Sequence, residues 1–145
     1  MRIWIGGDHA GVNLKEQIRN LLEADQHQVT DVGTRTGESV DYPDFAASVS
    51  RGVSSGAAER GILVCGTGIG MAIAANKFAG VRAAVCYNLE TARLSRQHNN
   101  ANVLTLGART LEPDLAMSIV VEWLQIPFEG GRHNRRVEKI SLLEC

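Results

Sequence analysis

Six consecutive residues, Cys65-Gly66-Thr67-Gly68-Ile69-Gly70, carry the strongest chemical signal in the sequence. Alternate glycines let successive backbone N–H groups converge on one point, and a helix starting there adds partial positive charge. Such a nest suits a phosphate or a developing oxyanion. Read alone, the turn serves equally as a tight strand-to-helix connection in which glycine merely removes clashes. Cys65 tips the reading toward chemistry. It closes an apolar run and opens the turn, so its sulfur is expected to face the nest. A helix N-terminus favours the thiolate form of a cysteine, which can take a proton or attack carbon. Most buried cysteines are inert packing, and Cys86 and Cys145 stay in that class. Thr67 is either a plain turn residue or a hydroxyl that steadies the thiolate or a substrate oxygen.

A second unusual stretch is Arg132-His133-Asn134-Arg135-Arg136, entered through Gly130-Gly131. Cations at a helix N-terminus oppose the macrodipole unless an anion joins them. Arg132 and Arg136 stand four apart and share a helical face, a spacing that clamps a phosphate, while Arg135 points elsewhere. A solvated basic patch is the competing account. His98 falls at the end of a predicted helix, where a protonated imidazole is favoured and Asn99 or Asn100 is a good left-handed cap. That explanation suffices by itself. His9, beside Asp8, is equally a surface residue with an acidic neighbour.

Dinucleotide binding is disfavoured. Laid on Gly6 and Gly11, the spacing G-x-G-x-x-G puts Asp8 where its middle glycine belongs, and a carboxylate there repels a pyrophosphate. Asp31 sits near the offset of the usual ribose-binding acid, but the motif fails at its centre. In the Gly66–Gly70 turn Met71 occupies the third glycine's place, and no GxxxxGK[ST] occurs. A formal charge of -1 argues against non-specific nucleic-acid binding. No stretch approaches the ~20 apolar residues of a membrane span. The chain enters Arg2-Ile3-Trp4-Ile5 at once, with no room for a signal peptide. Three cysteines without a CxxC pair suit a reducing cytoplasm, and no metal-ligand spacing joins them to the four histidines.

These residues need a scaffold that brings them together. At 145 residues, 44% hydrophobic and 21% charged, the chain suits one soluble domain spanning 1–145. Short apolar runs predict strands at Ile3–Gly6, Gln28–Val32, Gly61–Cys65, Arg82–Cys86 and Val103–Leu106. Amphipathic stretches between them predict helices. One carries Leu14, Ile18, Leu21 and Leu22; the next carries Phe45, Val49 and Val53; a third starts near Gly70 and carries Ile73 and Phe78. Two more run from Leu89 to His98 and from Pro113 to about Leu124, the latter with Leu115, Ile119, Val120 and Trp123 inward. The pattern breaks at Gln125–Gly131, and a last helix from Arg132 to about Leu143 forms an appended extension over about 125–145. Strand–helix alternation implies an α/β fold, a parallel five-stranded sheet covered by helices on both faces. Ligands of such sheets sit beyond the carboxyl ends of the strands. Asp8-His9, Tyr42, the Cys65 turn, His98-Asn99-Asn100 and Arg109 are all expected at that one edge.

Five ordered segments resemble type B ribose-5-phosphate isomerase, in the family that also includes galactose-6-phosphate isomerase. They are Gly7-Asp8-His9-Ala10-Gly11, Asp41-Tyr42-Pro43, the Cys65–Gly70 turn with Ala74-Ala75-Asn76-Lys77, Arg96-Gln97-His98-Asn99 and Gly130-Gly131-Arg132-His133. The resemblance covers nearly the whole chain. It implies a three-layer, Rossmann-like α/β/α sandwich and a homodimer or dimer of dimers with sites between subunits. It also implies a small phosphorylated sugar as substrate, a place in pentose phosphate metabolism, and no metal or organic cofactor. By that resemblance Cys65 is the base that moves a proton between C1 and C2 of the open-chain sugar, with Thr67 beside it. Gly66, Gly68, Ile69 and Gly70 hold the enediolate oxygens, and His98 opens the furanose ring. Asp8, His9, Tyr42, Asn99 and Arg109 line the sugar and phosphate, with Arg132 and Arg136 as principal phosphate ligands. Another branch lacks the cysteine and uses a glutamate shortly after the turn. Here that stretch reads Ile69-Gly70-Met71-Ala72, so the chain resembles the cysteine branch. A six-carbon sugar phosphate and a non-catalytic sugar-phosphate sensor are the two alternatives that the sequence leaves standing.

Overall fold

The computed structural model describes residues 1–145. Its strands are β1 (Arg2–Gly7), β2 (Gln28–Asp31), β3 (Arg60–Cys65), β4 (Ala83–Val85) and β5 (Val103–Gly107). Its helices are α1 (Val12–Ala24), α2 (Tyr42–Ser54), α3 (Ile69–Ala75), α4 (Leu89–Asn99), α5 (Pro113–Gln125) and α6 (Arg132–Ser141), with a 3₁₀ turn at His9–Gly11. The strands pair in parallel in the order β2-β1-β3-β5-β4.

Side chains alternate across a strand, and in β3 that alternation divides the core. Ile62 and Val64 face one side, where α1, α4 and α5 contribute Ile18, Leu22, Ala92, Ile119 and Trp123. Leu63 and Cys65 face the other, where α2 and α3 contribute Ala46, Val49, Met71 and Ala75. The expected α/β/α sandwich is therefore the observed one. The β4 strand is shorter than expected: the Arg82 N–H turns aside to the Asn102 side chain, leaving Arg82 and Cys86 outside.

Sheet order decides where a ligand can enter. From β1 the chain crosses through α1 to β2 on one side, whereas from β3 it crosses through α3 toward β4 and β5 on the other. The connections diverge between β1 and β3, so a crevice opens beyond their carboxyl ends. The turns that follow these two strands hold Asp8-His9 and Cys65–Gly70.

Two helices differ from expectation. The α3 helix ends at Ala75, so Phe78 lies beyond it, and Ile73 is 61% exposed. Its buried residues are Met71, Ala72 and Ala75. The Gly68 turn sets the helix phase, and Ile69 and Ile73, one turn apart, both face outward. The appended α6 packs against α4 of its own chain, although nothing in its own sequence required that.

Candidate active site

The structure builds the nest at the carboxyl end of β3. Gly68 adopts φ +78°, a left-handed conformation that favours glycine, and a Cβ there would lie 2.9 Å from the Leu106 backbone. In this conformation the Gly68 N–H donates to Cys65 Sγ at 3.1 Å. Cys65 is buried, and its sulfur accepts this backbone N–H at the start of α3. Cys86 is the contrast. Burial pushes its thiol up to about 11, with weak hydrogen bonds to Ser95 and Thr91 only partly offsetting that, so it stays a protonated packing residue. The Thr67 Oγ1 accepts the Ile69 N–H at 3.2 Å, which satisfies the turn and leaves its own hydrogen to donate.

Other expected groups gather around this turn. The Arg109 N–H donates to the Gly66 carbonyl at 2.9 Å, and its Nη1 would stand 3.2 Å from a Cβ on Gly66. The Tyr42 ring lies so close to Gly70 that a Cβ there would come within 2.6 Å of it. Asp8 is buried at the end of β1, where its backbone N–H reaches the Val64 carbonyl at 3.1 Å and its Oδ1 caps the 3₁₀ turn by accepting the Ala10 N–H at 3.0 Å. The His9 Nδ1 accepts the Val40 N–H at 3.2 Å, which places the ring proton of the neutral imidazole on Nε2. Cys65, Thr67, Gly66–Gly70, Asp8, His9, Tyr42 and Arg109 thus share one edge.

His98, Asn99, Arg132 and Arg136 do not. A helix after a parallel strand runs back toward the strands' amino ends, and α4 does so. Immediately after it the Asn100 carbonyl accepts from Arg82 Nε at 3.0 Å and the Asn102 carbonyl accepts the Gly61 N–H at 2.9 Å, both at strand beginnings. The expectation of a single edge is therefore corrected. At ~3.3 Å per residue, the length of β3 puts roughly 15 Å or more between the Cys65 edge and the His98 edge. Asn100 is the left-handed cap, at φ 48°, and Asn99 is exposed.

The amino-edge group is held by side chains. The imidazoles of His98 and His133 stack with centroids 4.2 Å apart and planes 13° from parallel. Glu129 Oε2 stands 3.7 Å from His133 Nε2. Buried Arg96 ties the end of α5 to the turn after α4: its Nε donates to the Ile126 carbonyl at 3.1 Å, and its Nη1 donates to the Ala101 carbonyl at 2.6 Å and Asn100 Oδ1 at 3.0 Å. Burial, with Arg60 and Arg82 nearby, lowers its guanidinium to about 10, still a cation at neutral pH. Burial also lowers the His133 pKa, with repulsion from His98 and Arg132 adding to it and Glu129 opposing. Arg132 and Arg136 are exposed at the start of α6 and make no ion pair. Sequence reasoning missed His133 and Glu129 as partners of His98; their four-residue spacing was the only local signal.

Ligand atoms of His98, Glu129 and His133 lie within 4.8 Å of one another. Near-parallel rings send their in-plane lone pairs side by side rather than to a common centre, which does not suit a tetrahedral ion. A cavity of about 660 Å³ lies by Asn99, Asn76, Lys77 and Arg82, beneath the end of α6, and not at the Cys65 nest. A thiol and converging N–H groups meet only at the Cys65 turn. No helix is long and apolar enough to cross a membrane.

The sequence matches the ribose/galactose isomerase family over residues 3–140. It is 48% identical over 143 residues to ribose-5-phosphate isomerase B of Escherichia coli (strain K12), covering 99% of this chain and 96% of that protein. Among solved structures, ribose-5-phosphate isomerase B of Clostridium thermocellum superposes with a TM-score of 0.97 at 53% identity, over 99% of this chain and 97% of that one. Ribose-5-phosphate isomerase B of Mycoplasma genitalium, solved with bound ribulose-5-phosphate, gives a TM-score of 0.95 at 44% identity, over 97% and 94%.

Proposed function

Because the chain belongs to the ribose/galactose isomerase family, we propose that it interconverts ribose 5-phosphate and ribulose 5-phosphate in a site that two copies build together. The observation that carries this reading is the split of the candidate groups between two sheet edges. Cys65 has an oxyanion nest but no free pair of cations beside it; Arg132 and Arg136 have no thiol. A five-carbon sugar phosphate is too short to touch both edges of one sheet. A two-fold axis that sets the amino edge of one copy against the carboxyl edge of the other completes two identical sites at once. Ile69, Ile73 and Tyr42 supply an exposed apolar surface beside the nest for that contact.

The chemistry follows from the parts. Aldose–ketose isomerisation needs one base that reaches two adjacent carbons on one face, and donors for the enediolate charge. Cys65 thiolate takes the C2 proton of the open-chain aldose and returns it to C1, while the O2 hydroxyl proton passes to O1, so that the aldehyde becomes the C1 alcohol and C2 the ketone. The N–H groups of Gly66, Thr67 and Gly70, with the Thr67 hydroxyl, hold the charge on the oxygens meanwhile; those of Gly68 and Ile69 are already given to Cys65 Sγ and Thr67 Oγ1. His98 of the second copy opens the furanose ring by proton transfer, and its stack on His133 fixes the ring that does so. Arg132 and Arg136 anchor the phosphate far from the reacting carbons, so binding there orients the sugar. His9 Nε2–H, Asp8, Tyr42, Asn99 and Arg109 hold hydroxyls and phosphate.

A six-carbon sugar phosphate is the second reading, favoured by the breadth of the family itself. Turnover by the purified chain on ribose 5-, allose 6- and galactose 6-phosphate decides between them. The expected result is the highest kcat/KM on ribose 5-phosphate. A higher value on either hexose phosphate overturns the pentose reading, and tight binding without turnover on any of them overturns the enzyme reading.

A further inference from the structure

One fully buried charge has no part in the chemistry above. Lys15, in the first turn of α1, has no exposed surface, and its Nζ donates to Asp31 Oδ2 at 2.6 Å. Asp31 ends β2 with its side chain 5% exposed, and its other oxygen accepts the Gly33 N–H at 2.9 Å. Arg19 Nη1 stands farther off, at 3.8 Å. Taking two charges out of water is costly, and apolar replacements of such pairs are often neutral or stabilising. Stability alone gives no reason for this pair.

Its placement does. A Cβ on Gly33 would meet both Lys15 Cδ and the Gly7 nitrogen at 2.7 Å, and a Cβ on Gly7 would meet Lys15 Cδ at 3.3 Å. The lysine stem thus lies against both glycines, where β1 and β2 end. From Gly7 the chain passes directly to Asp8 and His9; from Gly33 it enters the loop that leads to Tyr42. Two bonds tie these segments: the Thr34 N–H to the Gly7 carbonyl at 3.1 Å, and the Val40 N–H to His9 Nδ1 at 3.2 Å. The ion pair sits at the root of both.

We infer that Lys15 and Asp31 are positioning residues. Their pair locks the carboxyl ends of β1 and β2 together and so fixes Asp8, His9 and Tyr42, without touching substrate. The catalytic consequence rests on the isomerase reading above; the geometric one does not. The test is the double variant Lys15→Met/Asp31→Leu in the full chain, which removes both charges and leaves none unpaired. Its Tm is expected within ~5 °C of wild type. Its kcat is expected to fall ~10-fold or more, because displaced groups forfeit orientation, and its Thr34 and Val40 amides should exchange ~10-fold faster. Wild-type kcat with unchanged exchange in the folded variant overturns the proposal. If the double variant does not fold, Asp31→Asn serves, assayed below its own melting temperature. It keeps an acceptor for Gly33 but leaves Lys15 without its anion, and the same losses support the proposal while wild-type values overturn it. Should the wild-type chain turn over no sugar phosphate, the isomerase reading fails separately, and the amide exchange alone decides this one.

Discussion

At the carboxyl edge of the sheet the candidate site is made by backbone. The left-handed Gly68 and the N–H groups of the Cys65 turn are fixed by the strand and helix on either side. At the amino edge it is made by side chains. Arg96 ties the end of α5 to the turn after α4 through three carbonyl and amide oxygens, and His133 is stacked on His98. Backbone geometry resists everything except a changed φ or a clash, whereas a side-chain clasp answers to pH and to single truncations. The proposed reacting centre stands on the rigid construction, and the groups proposed for phosphate binding and ring opening stand on the adaptable one.

If the carboxyl edge holds the base, Cys65→Ala removes chemistry and spares binding. Its kcat should fall at least ~1,000-fold while substrate still protects the protein against thermal unfolding. Cys86→Ala, at a buried thiol without a backbone donor, should change kcat less than ~2-fold. Equal losses in the two variants, followed by steady-state kinetics, would erase the distinction between these cysteines. At the amino edge, His98→Asn should cost ~100-fold on ring-form substrate and much less on an open-chain analogue that skips ring opening. Equal losses on both leave His98 only its stack and its helix end.

The edges differ as much in legibility. Strand segments showed as short apolar runs, and the nest showed because glycine at positions 66, 68 and 70 has a backbone reason that a local reading captures. His98 was placed at the wrong edge because a helix of 11 residues, ~16 Å long, carries its last residue the length of the sheet. Topology alone requires this, since α4 must run back before β5 can pair in parallel. Other positions give no such local reason. Lys15 reads as a solvated helical lysine until Asp31, 16 residues on, is brought against it. His133 reads as part of a basic run until α6 folds onto α4. Ile73 reads as core because its size says nothing of the phase that Gly68 imposes on α3.

Smaller effects probe how each edge is held. Gly68→Ala forces a side chain into the left-handed region against the Leu106 backbone. It should cost about 2 kcal/mol in chemical denaturation and lower kcat as the nest opens. Unchanged stability would mean that the turn relaxes freely. His133 should make the amino edge pH-sensitive. Its pKa is lowered in the fold, so the unfolded chain takes up the proton first, and stability is lost as pH falls below the ordinary histidine value of ~6.5. A His133→Phe variant, which keeps a ring against His98, should show a flatter Tm between pH 7 and 5.5; an unchanged slope would assign that sensitivity elsewhere.

The claim that joins the two edges is that each site draws Cys65 from one copy and His98, Arg132 and Arg136 from another. Arg132→Ala alone should mainly raise KM, with some loss of kcat if phosphate binding also orients the sugar. Cys65→Ala and Arg132→Ala chains, each inactive at low substrate, should regain activity when mixed under conditions where isotope labelling and native mass measurement prove subunit exchange. A mixed dimer carries both lesions in one site and neither in the other, so up to about one quarter of wild-type activity is expected at equal mixing. No recovery after proven exchange would place Cys65 and Arg132 in the same chain's site and contradict the account.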